Sequence, residues 1–173
     1  GSVSIDPGCL ERFFLLQIPV HGSARIQTAA RTVATAPGGN ASLLSPTVPT
    51  RMNWENDCAQ IILLVDRRLM EHRAAALSGR PVATVEFEPE VDLGSGSSLA
   101  IRSQIFELVD LAERLGPQRQ LSLLVAANLR ETLLGSLLHG LRHSASDDID
   151  IFGGKADALP RSLRRAREFL HAH

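Results

Sequence analysis

The chain has few of the features that mark a secreted, membrane-spanning or nucleic-acid-binding protein. Its two cysteines, Cys9 and Cys58, are isolated and form no paired motif, so we expect free thiols in a reducing cytoplasm rather than a disulfide. No apolar run approaches the roughly 18 residues of a membrane span, and no basic segment precedes an apolar stretch as in a secretion signal. The formal net charge is −1, which leaves no surplus of cations for general phosphate binding. We therefore expect a cytoplasmic globular protein with no membrane partner.

The residues of common catalytic and metal sites are also missing. Barrel metalloenzymes need several histidines and a carboxylate on neighbouring strands, whereas the predicted strands offer only His21, at a predicted turn. His139 and His143 lie four residues apart, a spacing that can hold zinc, but no third ligand is near in sequence. We expect both to face solvent at the end of a helix. With neither a Gly-x-Ser-x-Gly elbow nor a lysine-containing phosphate loop, the sequence predicts no catalytic residue, metal or cofactor.

Residues from about 9 to 87 have the composition of short strands. Apolar and β-branched runs alternate with turn clusters at residues 21–23, 37–40 and 55–57, at a spacing of about 8–12 residues that favours a sandwich or barrel over alternating strand–helix units. Asp66 is a suitable cap for a short helix over residues 67–77 that ends at Ser78-Gly79.

Beyond residue 94 the apolar period becomes helical. A flexible hinge is predicted at residues 94–98, with Ser97 or Ser98 as the N-cap of a helix over about 99–115. A second helix is predicted over about 117–142. An arginine-rich amphipathic helix near the end of the chain is typical of a connector to another domain.

The leucine-rich pair of helices carries more apolar surface than one face of a barrel is expected to cover. We therefore hypothesise that the helical hairpin forms the seam of a homodimer, with packing entirely inside one chain as the alternative. Asn128 interrupts the apolar side; it would fix the register of a seam if buried, or face water at its edge. The candidate dimerisation residues are Leu121, Leu124, Asn128, Leu134, Leu137, Leu138 and Leu141.

The strand region can also form a cup for a small molecule, since such sites are mostly apolar with a few placed polar groups. Arginine can grip a carboxylate, and tryptophan can stack on a ring or a sugar. Surface charge for the arginines and core packing for the tryptophan are the alternatives, and a one-residue shift in register would exchange the two strand faces. The candidate effector-binding residues are Phe14, Leu16, Ile18, Arg25, Arg51 and Trp54.

Six short motifs follow one another along the chain: residues 14–22 (FLLQIPVHG) followed by Arg31, 36–46 (APGGNASLLSP), 57–63 (DCAQIIL), 77–81 (LSGRP), 87–89 (FEP) and 164–170 (RRAREFL). In order and spacing they resemble the N-terminal regulatory domain of bacterial AraC/XylS-type transcription regulators. The resemblance implies a cupin-type barrel that binds an effector, a helical hairpin that dimerises, and a helix-turn-helix DNA-binding domain beyond residue 173. The XylS-like branch favours an organic or aromatic acid as the effector.

The predicted fold class is α+β, with a cupin-like β-barrel at residues 3–92, an antiparallel helical dimerisation hairpin at 97–145 and a connector helix at 158–173. The predicted function is the regulatory domain of an AraC/XylS-type regulator that contacts DNA through the domain absent from this chain. A stand-alone dimerisation or ligand-binding module and, from another class, a cupin-type enzyme are the alternatives.

Overall fold

The computed structural model describes residues 1–149 and shows an α+β fold, which confirms the predicted class. The expected connector helix at 158–173 lies outside the described residues. In chain order the elements are β1 (Val3–Gly8), β2 (Phe13–Thr28), β3 (Thr32–Thr35), β4 (Asn40–Leu44), β5 (Thr50–Asp66), α1 (Arg67–Ser78), β6 (Glu90–Asp92), α2 (Gly96–Leu115) and α3 (Leu123–Gly140).

The six strands form one antiparallel sheet in the order β1-β5-β2-β4-β6, and β3 pairs with β2 beside this path. Within residues 1–149 the strand pairings do not close into a ring, because β1 and β6 end the path and are not hydrogen-bonded to each other. The predicted closed barrel is therefore not confirmed, and the sheet of the described residues is open.

The long strands β2 and β5 form a continuous ribbon where the sequence predicts two interruptions. The expected turns at residues 21–23 and 55–57 are bulges instead, with register shifts on either side of His21. Gly22 is needed there because its φ is +67° and a Cβ would come within 2.7 Å of the carbonyl oxygen of Asn56. The predicted turns are wrong for a physical reason: a bulge absorbs extra residues without ending the pairing.

Side chains from the two faces of the ribbon enter two hydrophobic clusters. On β2, Phe14, Leu16 and Ile18 pack with the helices in a large cluster that also holds buried residues of α1, α2 and α3. Leu15 and Ile26 point into a smaller cluster with Met52 of β5. Leu15 enters the smaller cluster because side chains alternate along a strand, and Ile26 joins it because the register shifts around His21 lie between the two residues.

The short helix α1 confirms its prediction at both ends. The Asp66 side chain accepts a hydrogen bond from the Leu69 amide at 3.1 Å, and Gly79 ends the helix in the left-handed conformation with φ +68°. Both are the terminal signals that the sequence shows.

The hairpin of α2 and α3 is present, but its helices begin at residues other than those predicted. Helix α2 begins at Gly96 after Ser95, so Ser97 and Ser98 lie inside its first turn and neither is the N-cap. Helix α3 begins later than expected, at Leu123, because the Ser122 side chain caps it by accepting from the Val125 amide. The two helices run antiparallel, since Gly140 at the end of α3 packs on Ile101 near the start of α2.

The segment predicted as a flexible hinge is held by hydrogen bonds. Asp92 accepts from the Gly94 amide at 2.7 Å and from the Ser95 hydroxyl at 2.6 Å. The hydroxyl of Ser98 donates to the backbone carbonyl of Asp92. Asp92 therefore fixes the entry into α2.

These contacts predict an acid-dependent contribution to stability. The Ser95 hydroxyl, and then the Gly94 amide, lower the pKa of Asp92 below its ordinary value of 3.8. A carboxylate whose folded pKa is depressed stabilises the fold above its unfolded pKa, and this contribution is lost as the pH falls through the folded pKa. Asp92→Asn should therefore destabilise the chain at pH 6 and much less at pH 2.5. Urea unfolding of both proteins at the two pH values checks this, and an equal difference at both would contradict it.

Candidate functional site

A cavity of about 380 Å³ lies where the sheet meets the chain that leaves α3. Its size falls within the range of small-molecule sites. One wall comes from the strands, a second from the loop at residues 86–89 (the facing loop), and a third from residues 142–144 (the exit segment). The lining residues are Thr28, Ala30, Arg31, Leu43, Leu44, Ser45, Val48, Thr50, Glu86, Phe87, Glu88, Pro89, Arg142, His143 and Ser144.

The facing loop and the exit segment are paired like two short antiparallel strands. Phe87 and His143 form a β-bridge. On either side of it, the Glu88 amide donates to the Arg142 carbonyl at 3.0 Å and the Ser144 amide donates to the Glu86 carbonyl at 2.8 Å. We call this arrangement the joint, and it positions the exit segment against the cavity.

Contacts between aromatic rings hold the joint against the hydrophobic core; we call the three rings of Phe14, Phe87 and His143 the Phe87 stack. The Phe87 ring meets Phe14 edge-on, with ring centroids 5.6 Å apart and an interplanar angle of 89°. On its other side it lies 5.1 Å from the His143 ring. Both arrangements fall in the range of favourable ring contacts. Phe87, which we call the floor of the cavity, therefore packs into the large hydrophobic cluster.

His143 is buried, and the expectation that it faces solvent is wrong. Its Nε2 lies 2.8 Å from the Leu138 carbonyl, and its Nδ1 accepts from the Ala145 amide at 3.1 Å. A ring that accepts at Nδ1 carries its proton on Nε2 and donates it to Leu138. His139 is exposed as expected, with its Nδ1 2.8 Å from the Gly135 carbonyl. Backbone pairing after α3 turns His143 inward, and the four-residue spacing gives no sign of it.

The charged side chains of the cavity differ in how they are paired. Arg31 and Glu88 form an ion pair at 2.9 Å, with both side chains about half exposed. Glu86 accepts a hydrogen bond from the Thr47 hydroxyl at 2.6 Å. Arg142 forms no ion pair and no side-chain hydrogen bond with any residue in 1–149. Within residues 1–149 its guanidinium thus has no direct charged partner.

The six residues predicted to bind the effector lie in several separate places, none in the lining of this cavity. Phe14, Leu16 and Ile18 are buried in the cluster that faces the helices, where Phe14 contacts the cavity floor through Phe87.

The three polar and aromatic candidates lie elsewhere on the sheet. Arg25 lines a shallow depression beside β3, and Arg51 is exposed and grips Asp6 through Nε and Nη2 at 2.9 and 2.6 Å. Trp54 is partly buried at the smaller cluster, and its indole nitrogen has no hydrogen-bond partner within the described residues.

Arg31, Phe87, Arg142 and His143 were not predicted as site residues. Arg31 and Phe87 appear in the family-like motifs, but the residues next to them in sequence do not indicate a binding role. Arg142 and His143 follow the last leucine of the helical stripe. Their approach to Phe87 depends on long-range pairing, which no local pattern reveals.

The seven candidate dimerisation residues divide between the inside and the outside of the chain. Leu134, Leu137 and Leu138 are buried in the large cluster, whereas Leu124 is 72% exposed. Asn128 is also exposed, and its backbone carbonyl accepts a hydrogen bond from the Thr132 hydroxyl. The two remaining residues, both half-buried, are Leu121 and Leu141.

No helix in residues 1–149 is long and apolar enough to cross a membrane.

Comparison with known proteins gives a family and a fold. The sequence profile of the AraC-binding-like domain matches residues 1–139. Among solved structures, the crystal structure of the AraC-like transcriptional activator CuxR superposes with a TM-score of 0.55 at 15% identity. The match covers 79% of this chain and 46% of the CuxR chain, so this chain spans less than half of that protein. At this identity the likeness concerns the fold alone. No curated protein matches the sequence significantly.

Proposed function

The chain belongs to the AraC-binding-like domain family, and from this premise we propose that it is the effector-binding regulatory domain of a transcription regulator. The cavity under the joint takes a small-molecule effector. One observation carries the proposal: the cavity wall is shared between the sheet and the exit segment, through which the chain continues from α3. A ligand in the cavity therefore contacts the part of the chain that leads onward.

The proposed mechanism is a shift between two states of the joint. With the cavity empty, the exit segment opens and closes against the facing loop. A ligand that contacts both walls binds the closed state more tightly and so raises its population. DNA binding would belong to a following domain, whose placement depends on how the exit segment is held.

A regulatory role fits the cavity better than an enzymatic one. The family is a regulatory one, which points away from catalysis. The imidazole of His143 is held by the Leu138 carbonyl and the Ala145 amide. Because a general base must reach the proton that it removes, a ring with both nitrogens engaged is poorly placed for that task.

We also propose that a second copy of the chain covers the start of α3. Leu123, Leu124 and Val125 are consecutive apolar residues that are 90%, 72% and 45% exposed. Contiguous exposed apolar surface is typical of an interface. The exposed residues support a dimer contact at the start of α3, away from the leucines that are buried in the large cluster.

Hydrogen exchange on the full chain tests the coupling of effector to joint. A panel of acids, sugars and nucleotides is first screened for compounds that raise the melting temperature. Bound compounds are expected to slow exchange of the Glu88 and Ser144 amides, which make the flanking bonds of the joint. The Gly39 amide, bonded to Ala36 in a distant turn, is the internal control. Stabilising compounds that leave Glu88 and Ser144 unchanged would contradict the mechanism.

A further inference from the structure

We propose that the cavity selects molecules with an apolar body and a single carboxylate, with Arg142 as the anchor and Glu88 as the group that rejects a second negative charge. This inference rests on the proposed function and specifies the ligand class of the same cavity. It depends on three features of the lining: its apolar side, an arginine without an ion pair within residues 1–149, and its one ion pair.

The apolar side is formed by Leu43, Leu44, Val48, Phe87 and Pro89. Polar groups on this side already have partners inside the chain. The Phe87 amide donates to the Ser45 hydroxyl at 2.8 Å, and the Leu43 amide donates to the Pro89 carbonyl at 3.0 Å. A hydrocarbon chain or ring would find contacts here, whereas a sugar would leave many of its hydroxyls without partners.

The anchor is Arg142, which lines the cavity and has no ion pair within residues 1–149. A guanidinium offers two parallel donors that match a carboxylate. Because Arg142 belongs to the exit segment, a carboxylate bound to it also holds that segment against the sheet. The same contact would thus supply affinity and close the joint.

The rejecting group is Glu88. Its carboxylate lies 2.9 Å from Arg31 and neutralises the second arginine of the cavity. Glu86, bonded to Thr47, adds another negative charge to the same wall. Of the two arginines and two glutamates in the lining, Arg31 and Glu88 pair with each other, and Arg142 is the arginine without an ion pair within residues 1–149, so one carboxylate can bind beside it. A second carboxylate would meet Glu88 and Glu86, and like charges in close approach are disfavoured.

Methyl-labelled protein of residues 1–173 provides the test, with the methyl signals of Leu43, Leu44 and Val48 as position-specific reporters. The probes are benzoate and hexanoate, their neutral amides benzamide and hexanamide, and the dicarboxylates terephthalate and adipate. We expect the monocarboxylates to bind at least about 10-fold more tightly than either other set, the size of a charge-assisted hydrogen bond.

Two arginine variants test the anchor. Arg142→Gln should abolish the preference for acid over amide, and Arg142→Lys should restore part of it by returning the charge. Arg114→Gln is the matched control because Arg114 lies on α2 and pairs with Asp110 outside the cavity. Retention of the full acid preference in Arg142→Gln would overturn the anchor.

Glu88→Gln tests the rejection of a second charge. It frees Arg31 and should tighten dicarboxylate binding by about 10-fold, the size of one charge-assisted contact. The double variant Arg31→Gln with Glu88→Gln should lose that gain. Unchanged dicarboxylate binding in Glu88→Gln would overturn the role of Glu88.

The outcomes separate this inference from the function on which it rests. Amides that shift the methyl signals as strongly as acids would overturn the ligand class and leave effector binding in place. If neither these probes nor the panel of sugars and nucleotides shifts the signals, effector binding in this cavity is overturned as well.

Discussion

Replacing Phe87 by alanine is expected to lower the free energy of unfolding by about 3–5 kcal/mol, the usual loss for a buried aromatic side chain. Phe87 is 6% exposed and contacts the rings of both Phe14 and His143. The substitution removes the shared member of the stack and opens a space under the joint. Since small domains are stable by about 5–15 kcal/mol, this one change would consume a large part of the total.

The same substitution at Phe106 is the matched control. Phe106 lies on α2, is 37% exposed and makes a cation–π contact with Arg102. Phe106→Ala should cost about 1 kcal/mol or less, because contacts at exposed sites are weak. Urea unfolding of both variants provides the comparison. Equal losses would show that the Phe87 stack does not carry the joint.

Substitutions of the leucines of α3 are expected to have two different effects. At buried leucines they should lower the free energy of unfolding, and at exposed leucines they should weaken the proposed dimer. Leu137 is fully buried in the large cluster, so Leu137→Ala should cost about 2–5 kcal/mol. Leu124 is exposed on the same helix, and Leu124→Ala should cost about 0.5 kcal/mol or less. Urea unfolding checks the contrast, and similar losses at the two sites would contradict it.

Leu124→Glu then tests the proposed dimer without disturbing the core. We expect a protein of unchanged melting behaviour at low concentration whose mass by light scattering is that of one chain. Leu64→Glu is the control, since Leu64 is 58% exposed on β5, away from the hairpin. A mass that stays dimeric in Leu124→Glu would remove this end of α3 from the interface. Charged substitutions at Leu134 or Leu138 cannot serve here, because those side chains are buried within one chain.

The sequence predicts best what is decided by neighbouring residues. Helix α1 lies almost where its terminal residues place it, because Asp66 and Gly79 act within one turn of the helix. The leucine stripe of α3 is likewise local, and it identifies a buried face correctly as apolar. The stripe alone does not tell whether a partner chain or the same chain covers that face. In the structure Leu134 and Leu137 are covered by the large cluster of the same chain.

The sequence predicts the candidate site poorly, because the cavity is assembled from distant segments. Arg31 follows β2, Phe87 lies in a loop without regular structure, and Arg142 follows α3. Their meeting depends on the β-bridge between Phe87 and His143. The predicted binding residues were chosen by side-chain type along the strands, and the alternation of faces sent Phe14 and Leu16 toward the helices.

The continuous ribbon of β2 and β5 has a consequence for how the molecule comes apart. Both strands contribute to both hydrophobic clusters: β2 supplies Phe14 to one and Ile26 to the other, while β5 supplies Val65 and Met52 in the same way. Unfolding of either cluster would disturb the pairing of β2 and β5, on which the other cluster also depends. We therefore expect the two clusters to unfold as a single cooperative unit, because the bulge at Gly22 shifts the register of the shared strands without ending their pairing.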